Sequence, residues 1–244
     1  MRYLVLLAAD EAAMPQPGTA DFDADMAAFD AFGEVAGPAI VAGEELADRS
    51  TCRTIRHTGG EVTITDGPFA ESVEGIGGFF VLDAGDLDDA VELARLIPPV
   101  RYGSVEVRPM VEWSESDGSE GSGQASGAAG PRWLATIHGP ETDVEVPGSP
   151  GWDEGAAEHG RFADAAGPAL LASGAVYPTT SATTLRLRDG ELLVTDGPYA
   201  ESVEVVGGFY LLRGELDAVL ELAARIPVVD RGGVQLQAIV DRDD

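Results

Sequence analysis

A ten-residue string, TDGPFAESVE at residues 65–74, returns as TDGPYAESVE at residues 195–204. The one difference, Phe69 against Tyr199, exchanges one aromatic ring for another. An offset of 130 residues is far too long for a solenoid unit of about 20–50 residues, so the chain carries two copies of one domain. The copies align without a gap from Arg2-Tyr3-Leu4 against Arg132-Trp133-Leu134 to Phe79 against Phe209, after which copy two is one residue shorter. Residues 1–113 and 132–244 are read as the two domains. Between them, residues 114–131 are rich in Gly and Ser, lack apolar periodicity and read as a flexible linker. Such a coil spans about 20–25 Å and raises the effective concentration of one domain for the other to about millimolar. The expected arrangement is a homodimer fused into one polypeptide.

Each copy opens with an apolar strand, at 2–8 and 132–138, followed by a proline-bearing loop. Phe22, Met26, Phe29 and Phe32 then recur at three- and four-residue spacing, which predicts a helix over about 22–36 and its partner over about 153–166. Gly37-Pro38 and Gly167-Pro168 mark the helix stops. TTLRLR and ELLVTD, separated by Asp189-Gly190, predict a hairpin, and copy one has Gly59-Gly60 at the same turn. GGFFVLD and GGFYLLR read as central strands. A second helix is expected at about 86–97 and 215–226, and a last strand at about 103–111 and 232–240. The order β-α-β-β-β-α-β describes an α+β fold: two tandem ferredoxin-like domains, each with one extra strand and with helices on one face of an antiparallel sheet. The bare sheet faces need cover, and packing them together predicts an intrachain dimeric α+β barrel.

The net charge of −28, with every basic residue an arginine, repels phosphate backbones and anionic lipid. No direct nucleic-acid or membrane partner is expected. The first residues suit a strand better than a signal peptide, and no stretch is long enough to span a bilayer, so the expected location is cytoplasmic. Cys52 is alone and faces Ala182 in the other copy, which favours a small buried hydrophobe over a nucleophile.

The candidate chemistry lies around the repeated string. Asp66 and Asp196 precede Gly-Pro, which is turn chemistry in which the carboxylate accepts from nearby backbone N–H groups. The functional reading adds Glu71 and Glu74 in copy one, and Glu201 and Glu204 in copy two. Carboxylates converging on a cleft would supply an acid–base group, with Asp66 and Asp196 as the candidates, or would hold a divalent cation. Both readings stand open. Arg56 and Arg186 also match, and strand alternation sets Thr54, Arg56 and Thr58 on the face opposite Ile55 and His57. With Glu71 and Glu201 these arginines are candidate ligand-binding residues; the alternative is a surface arginine opposed by Glu61 or Glu191. His57, His138 and His159 face Leu187, Ala8 and Phe29, so no histidine recurs at matched positions. His159 is expected as an exposed helical residue, with an acid–base role beside Glu158 in copy two as the alternative. No cofactor-binding fingerprint is present and no cofactor is expected.

TDGPFAES, the following GGFF, the D-L-D-x-A helix, I-P and YGSVEVRP together resemble the YCII-related family, more narrowly its D-G-P-F subgroup, over most of 1–113 and more loosely over 132–242. Copy two departs from it at Tyr199 and at the drifted segment Arg231 to Ala238. The resemblance implies a ferredoxin-like fold and a dimeric α+β barrel. Some members carry a His–Asp pair in a pocket, which neither copy reproduces. The subgroup is also associated with sigma-factor genes, which implies a protein partner in the transcription machinery as the alternative to a small-molecule-binding or acid–base module with two pseudo-symmetric pockets.

Overall fold

The computed structural model describes residues 1–69, 74–115, 130–199 and 204–241. Glu71, Glu201 and most of the linker lie outside the described residues. Repeat one forms β1 (Arg2–Ala9), α1 (Ala20–Ala36), β2 (Ile40–Glu45), β3 (Arg53–Thr58), β4 (Glu61–Asp66), β5 (Gly75–Asp83), α2 (Leu87–Ala94) and β6 (Gly103–Glu115). Repeat two forms β7 (Arg132–Pro140), α3 (Trp152–Ala166), β8 (Leu170–Val176), β9 (Thr183–Arg188), β10 (Glu191–Asp196), β11 (Glu204–Arg213), α4 (Leu216–Ala223) and β12 (Gly233–Ala238). Among the described residues no helix is long and apolar enough to cross a membrane.

The fold is α+β with antiparallel strands, as expected, but each repeat has one strand more than the sequence pattern suggests. The additional strands are β2 and β8, read from sequence as connection. Gly43, Glu44 and Glu45 interrupt any alternation in β2, and most of its residues are only half-buried, as befits the strand at the end of its sheet. The missing residue also moves. Arg2 faces Asp83 and Arg132 faces Arg213, so the offset of 130 survives to the end of the strand. The helices at Leu87 and Leu216 are 129 apart, which places the deletion in the turn before them.

The chain divides into two compact units that do not coincide with the repeats. The first unit comprises residues 1–45, 72–110 and 179–201; the second comprises 46–71, 111–178 and 202–244. Each unit takes the ferredoxin-like core of one repeat and the β-hairpin of the other. In the first, the sheet runs β2-β5-β1-β6-β9-β10, with Val105 opposite Leu185 and Glu106 opposite Thr184. In the second it runs β8-β11-β7-β12-β3-β4, with Val234 opposite Ile55 and Gln235 opposite Thr54. Period-two alternation says which face of a hairpin is buried but not which strand it pairs with, so the exchange leaves no mark on the local pattern.

The two cores are built alike. In the first unit Tyr3, Val5, Phe32, Leu82, Ala90, Ile97 and Val107 cluster with Leu185 from the incoming hairpin. In the second, Trp133, Ala135, Phe162, Leu212, Val219, Ile226 and Leu236 cluster with Ile55. Thr19 caps α1 by accepting from the N–H of Phe22, and Asp86 caps α2 by accepting from Asp89. The same bulge interrupts β1–β5 and β7–β11, where register slips past Gly77 and past Gly207. The glycine after each bulge is fixed by crowding: a Cβ on Gly78 would stand 3.0 Å from the Glu44 carbonyl, and one on Gly208 2.8 Å from the Gly174 carbonyl.

Candidate functional site

In both units the repeated string closes a hairpin and turns back under an arginine. Gly67 and Gly197 have φ of +98° and +102°, conformations that L side chains rarely adopt. Their N–H groups donate to the carbonyls of Cys52 and Ala182, at 2.9 and 2.8 Å. Their own carbonyls accept from the hydroxyls of Thr54 and Thr184, at 2.8 and 2.7 Å. Asp66 ends β4 with its side chain 87% exposed and pairs with Arg53 at 3.1 Å. Asp196 ends β10, equally on the exposed face, and the residue matching Arg53 is Thr183.

Arg56 and Arg186 clamp the turn that follows. Arg56 donates through Nη2 to the Phe69 carbonyl at 2.9 Å and through Nη1 to Glu204 at 3.0 Å, and its guanidinium lies 3.9 Å from the centre of the Phe69 ring. Arg186 donates to the Tyr199 carbonyl at 2.6 Å and holds Glu74 with both terminal nitrogens, at 2.9 and 3.0 Å. Ser104 also donates to Glu74, at 3.0 Å. The arginines thus pair with Glu204 and Glu74, each from the opposite repeat, rather than with Glu61 or Glu191.

Below the clamp the two units diverge. The N–H of Tyr199 donates to Glu106 at 2.9 Å, and Glu106 is ion-paired to Arg108, with side chains 1% and 3% exposed. The N–H of Phe69 donates instead to Gln235 at 2.8 Å, and Gln235 donates to Gln237 at 3.3 Å. A buried ion pair in one unit is a neutral amide pair in the other. The Phe69 ring stacks on His138 at 4.4 Å, where the first repeat has Ala8.

The second unit also holds a cavity of about 490 Å³, within the range of about 300–1,000 Å³ usual for small-molecule sites. All its lining residues belong to that one unit, among them His138, Trp152, His159, Ser173, Phe209 and Tyr210. None of Asp66, Asp196, Arg56 and Arg186 lines it. At its wall the His159 ring nitrogen Nδ1 meets the Tyr210 hydroxyl at 2.7 Å, and the Phe162 ring packs edge-on against Tyr210 at 4.8 Å. His159 is half-buried, not the exposed helical residue expected from sequence. Burial holds its imidazole below the usual histidine range, against a smaller opposing effect of Glu158. Tyr210 is pushed well above the usual phenol range, by burial first and by the Glu112 carboxylate second. Both groups are therefore neutral at pH 7, and proton transfer from phenol to imidazole is uphill. The pair is suited to hydrogen-bonding a polar group rather than to generating a strong base.

The first repeat shows what makes this space. His159 and Tyr210 correspond to Phe29 and Phe80, and Gly155, Ala156 and Gly160 of α3 correspond to Asp25, Met26 and Asp30 of α1. Ser173 corresponds to Gly43, whose absent Cβ would lie 2.4 Å from the Phe80 ring. Phe80 packs against Phe32 at 5.0 Å and fills that side of the first unit with aromatic carbon. Sequence reasoning missed Tyr210, Trp152 and Ser173. The available signal was a coordinated exchange, two aromatics becoming a histidine and a tyrosine beside a helix face stripped of bulk.

Fold and site define a duplicated ferredoxin-like α+β protein with an arginine-clamped turn in each unit and a lined cavity in one. The YCII-related domain model matches residues 1–114 and again 137–242, and the chain belongs to that family. An uncharacterised protein of Rhizobium meliloti (strain 1021) is 40% identical over 67 residues, 27% of this chain; the match spans 54% of that relative, about half its length. Among solved structures, a chlorite dismutase-like protein aligns with 98% of this chain and 94% of its own at 10% identity and a TM-score of 0.44. An anthrone oxidase-like protein aligns over 98% and 92% at 12% identity and a TM-score of 0.30.

Proposed function

We propose that this chain is a small-molecule-binding protein whose ligand site is the cavity of the second unit, with His159 and Tyr210 as the pair that reads the ligand. The supporting observation is the substitution of that hydrogen-bonded pair, and of an open space, for Phe29 and Phe80 of the first repeat. Placing a histidine and a tyrosine where phenylalanines pack forgoes apolar burial, which is understandable where a bound group uses their hydrogen-bonding capacity. Membership of the D-G-P-F subgroup and the intrachain α+β barrel of the two repeats belong to the same reading. The exchanged hairpins support association of the repeats, because each unit contains strands from both.

The test is ligand-observed NMR screening of a fragment library against the wild-type chain and His159→Phe/Tyr210→Phe, with Asp66→Asn/Asp196→Asn as the comparison. Fragments should bind the wild type and the double asparagine variant and lose affinity for the double phenylalanine variant by roughly 10-fold or more. Fragments that bind all three proteins equally, or only lose affinity for the asparagine variant, would overturn the assignment.

A further inference from the structure

We infer that the cavity of the second unit selects an organic cation, an ammonium group carried on an apolar or aromatic body. The inference rests on the proposal that this cavity is the ligand site and specifies what enters it. Four carboxylates line the space: Glu112 from β6, Asp143 and Glu145 from the loop after β7, and Glu158 from α3. Among the described residues no arginine lines it, and the chain has no lysine. Glu158 is paired at 3.7 Å with Arg161, which stands at an exposed position on the same helix. His159 adds no positive charge, because burial holds it neutral.

Glu112 lines the same space as Tyr210, whose phenol is raised by burial first and by that carboxylate second. Most of the rest of the lining is apolar or aromatic, with Ile137, Val205, Phe209, Val228, Val229 and Trp152, beside the hydroxyls of Ser114 and Ser173 and the rings of His138 and His159. An anionic ligand would meet four like charges with no arginine among the lining residues to offset them. A cation with a flat apolar body meets carboxylates around its head, rings beside its body, and the neutral His159–Tyr210 pair as an acceptor and donor.

Three probes on one skeleton separate charge from shape: tryptamine as the cation, tryptophol as the neutral alcohol and indole-3-propionate as the anion. Titrations would be followed by calorimetry and by the ring C–H signals of the three histidines. Tryptamine should bind about 10-fold or more tightly than tryptophol, with indole-3-propionate weakest, and should move the His159 and His138 signals while leaving His57 unchanged. The preference should shrink as salt rises from about 0.02 to about 0.5 M. Glu112→Gln/Glu158→Gln should cut tryptamine affinity by about 3- to 10-fold per carboxylate and leave tryptophol binding unchanged. Glu61→Gln/Glu191→Gln, which removes two charges elsewhere, should change neither.

Equal binding of the three probes with His159 perturbed would overturn the charge inference and leave the cavity as the ligand site. Tryptamine binding that leaves His159 unmoved, or that falls equally in the Glu61/Glu191 variant, would mark general attraction to an acidic protein and would also overturn it. No binding by any probe would count against both readings.

Discussion

The first and second units share a turn and differ in what lies beneath and beside it. Both clamp the repeated string with an arginine, a glycine at positive φ and a threonine hydroxyl. Only the first keeps the buried pair Glu106–Arg108, and only the second exchanges Phe29 and Phe80 for His159 and Tyr210. The features held in common are those that set backbone direction. Those that differ decide charge and free space inside otherwise matching scaffolds. The described part of the repeated string thus directs the backbone alike in both units, and the cavity of the second unit lies outside it.

The largest expected effect comes from breaking the feature that the first unit has and the second lacks. Glu106→Gln leaves the buried Arg108 guanidinium without its carboxylate and should cost about 3–5 kcal/mol in urea unfolding. Glu106→Gln/Arg108→Gln, which copies Gln235 and Gln237, should return to within about 1 kcal/mol of the wild type or exceed it. A double variant no better than the single one would show that the units are not interchangeable at this place.

Next come the shared glycines. Gly67→Ala and Gly197→Ala meet no neighbouring atom, so only the backbone conformation opposes them, at about 1–2 kcal/mol each. Matching losses would confirm that the turn serves both units alike; a large difference would break the equivalence. Making the second unit resemble the first by His159→Phe/Tyr210→Phe should change stability by less than about 1 kcal/mol, because polar partners are removed together, while weakening fragment binding by roughly 10-fold or more.

The smallest effect is one of pH. Burial lowers the folded-state value of His159, so the unfolded chain takes up this proton first as pH falls. Stability tied to the neutral ring is complete above the ordinary histidine value and declines as acidification passes below about 6.5. His159→Phe should therefore flatten the fall in melting temperature between about pH 7.5 and pH 5.5, with His57, also lowered by burial, supplying part of what remains. A variant that melts with the same slope would argue against a buried neutral ring.

Much of the scaffold was legible in the sequence. Spacing of Phe22, Phe29 and Phe32 located α1 to within two residues of its start, and Asp189-Gly190 marked a turn where both residues have positive φ. Alternation correctly set Arg56 opposite Ile55, because the side-chain period of a strand is two whatever its partner. Pairing was not legible, since Ile55 is an equally good core residue beside Val234 or beside Val105. The cavity was hidden for a related reason: His159 on a surface-patterned helix and Tyr210 in an apolar strand are unremarkable until a hydrogen bond joins them.

The exchanged hairpins impose an order on how the molecule is made. β3 ends at Thr58 and its partner β12 begins 175 residues later at Gly233, so at roughly 5–20 residues per second the hairpin waits on the order of ten to thirty-five seconds for its place. Throughout that interval Val62 and Ile64 sit on a strand pair with an unfilled edge, the kind of surface that nascent chains join to one another. The abundant acidic charge opposes such joining, because like-charged chains repel one another.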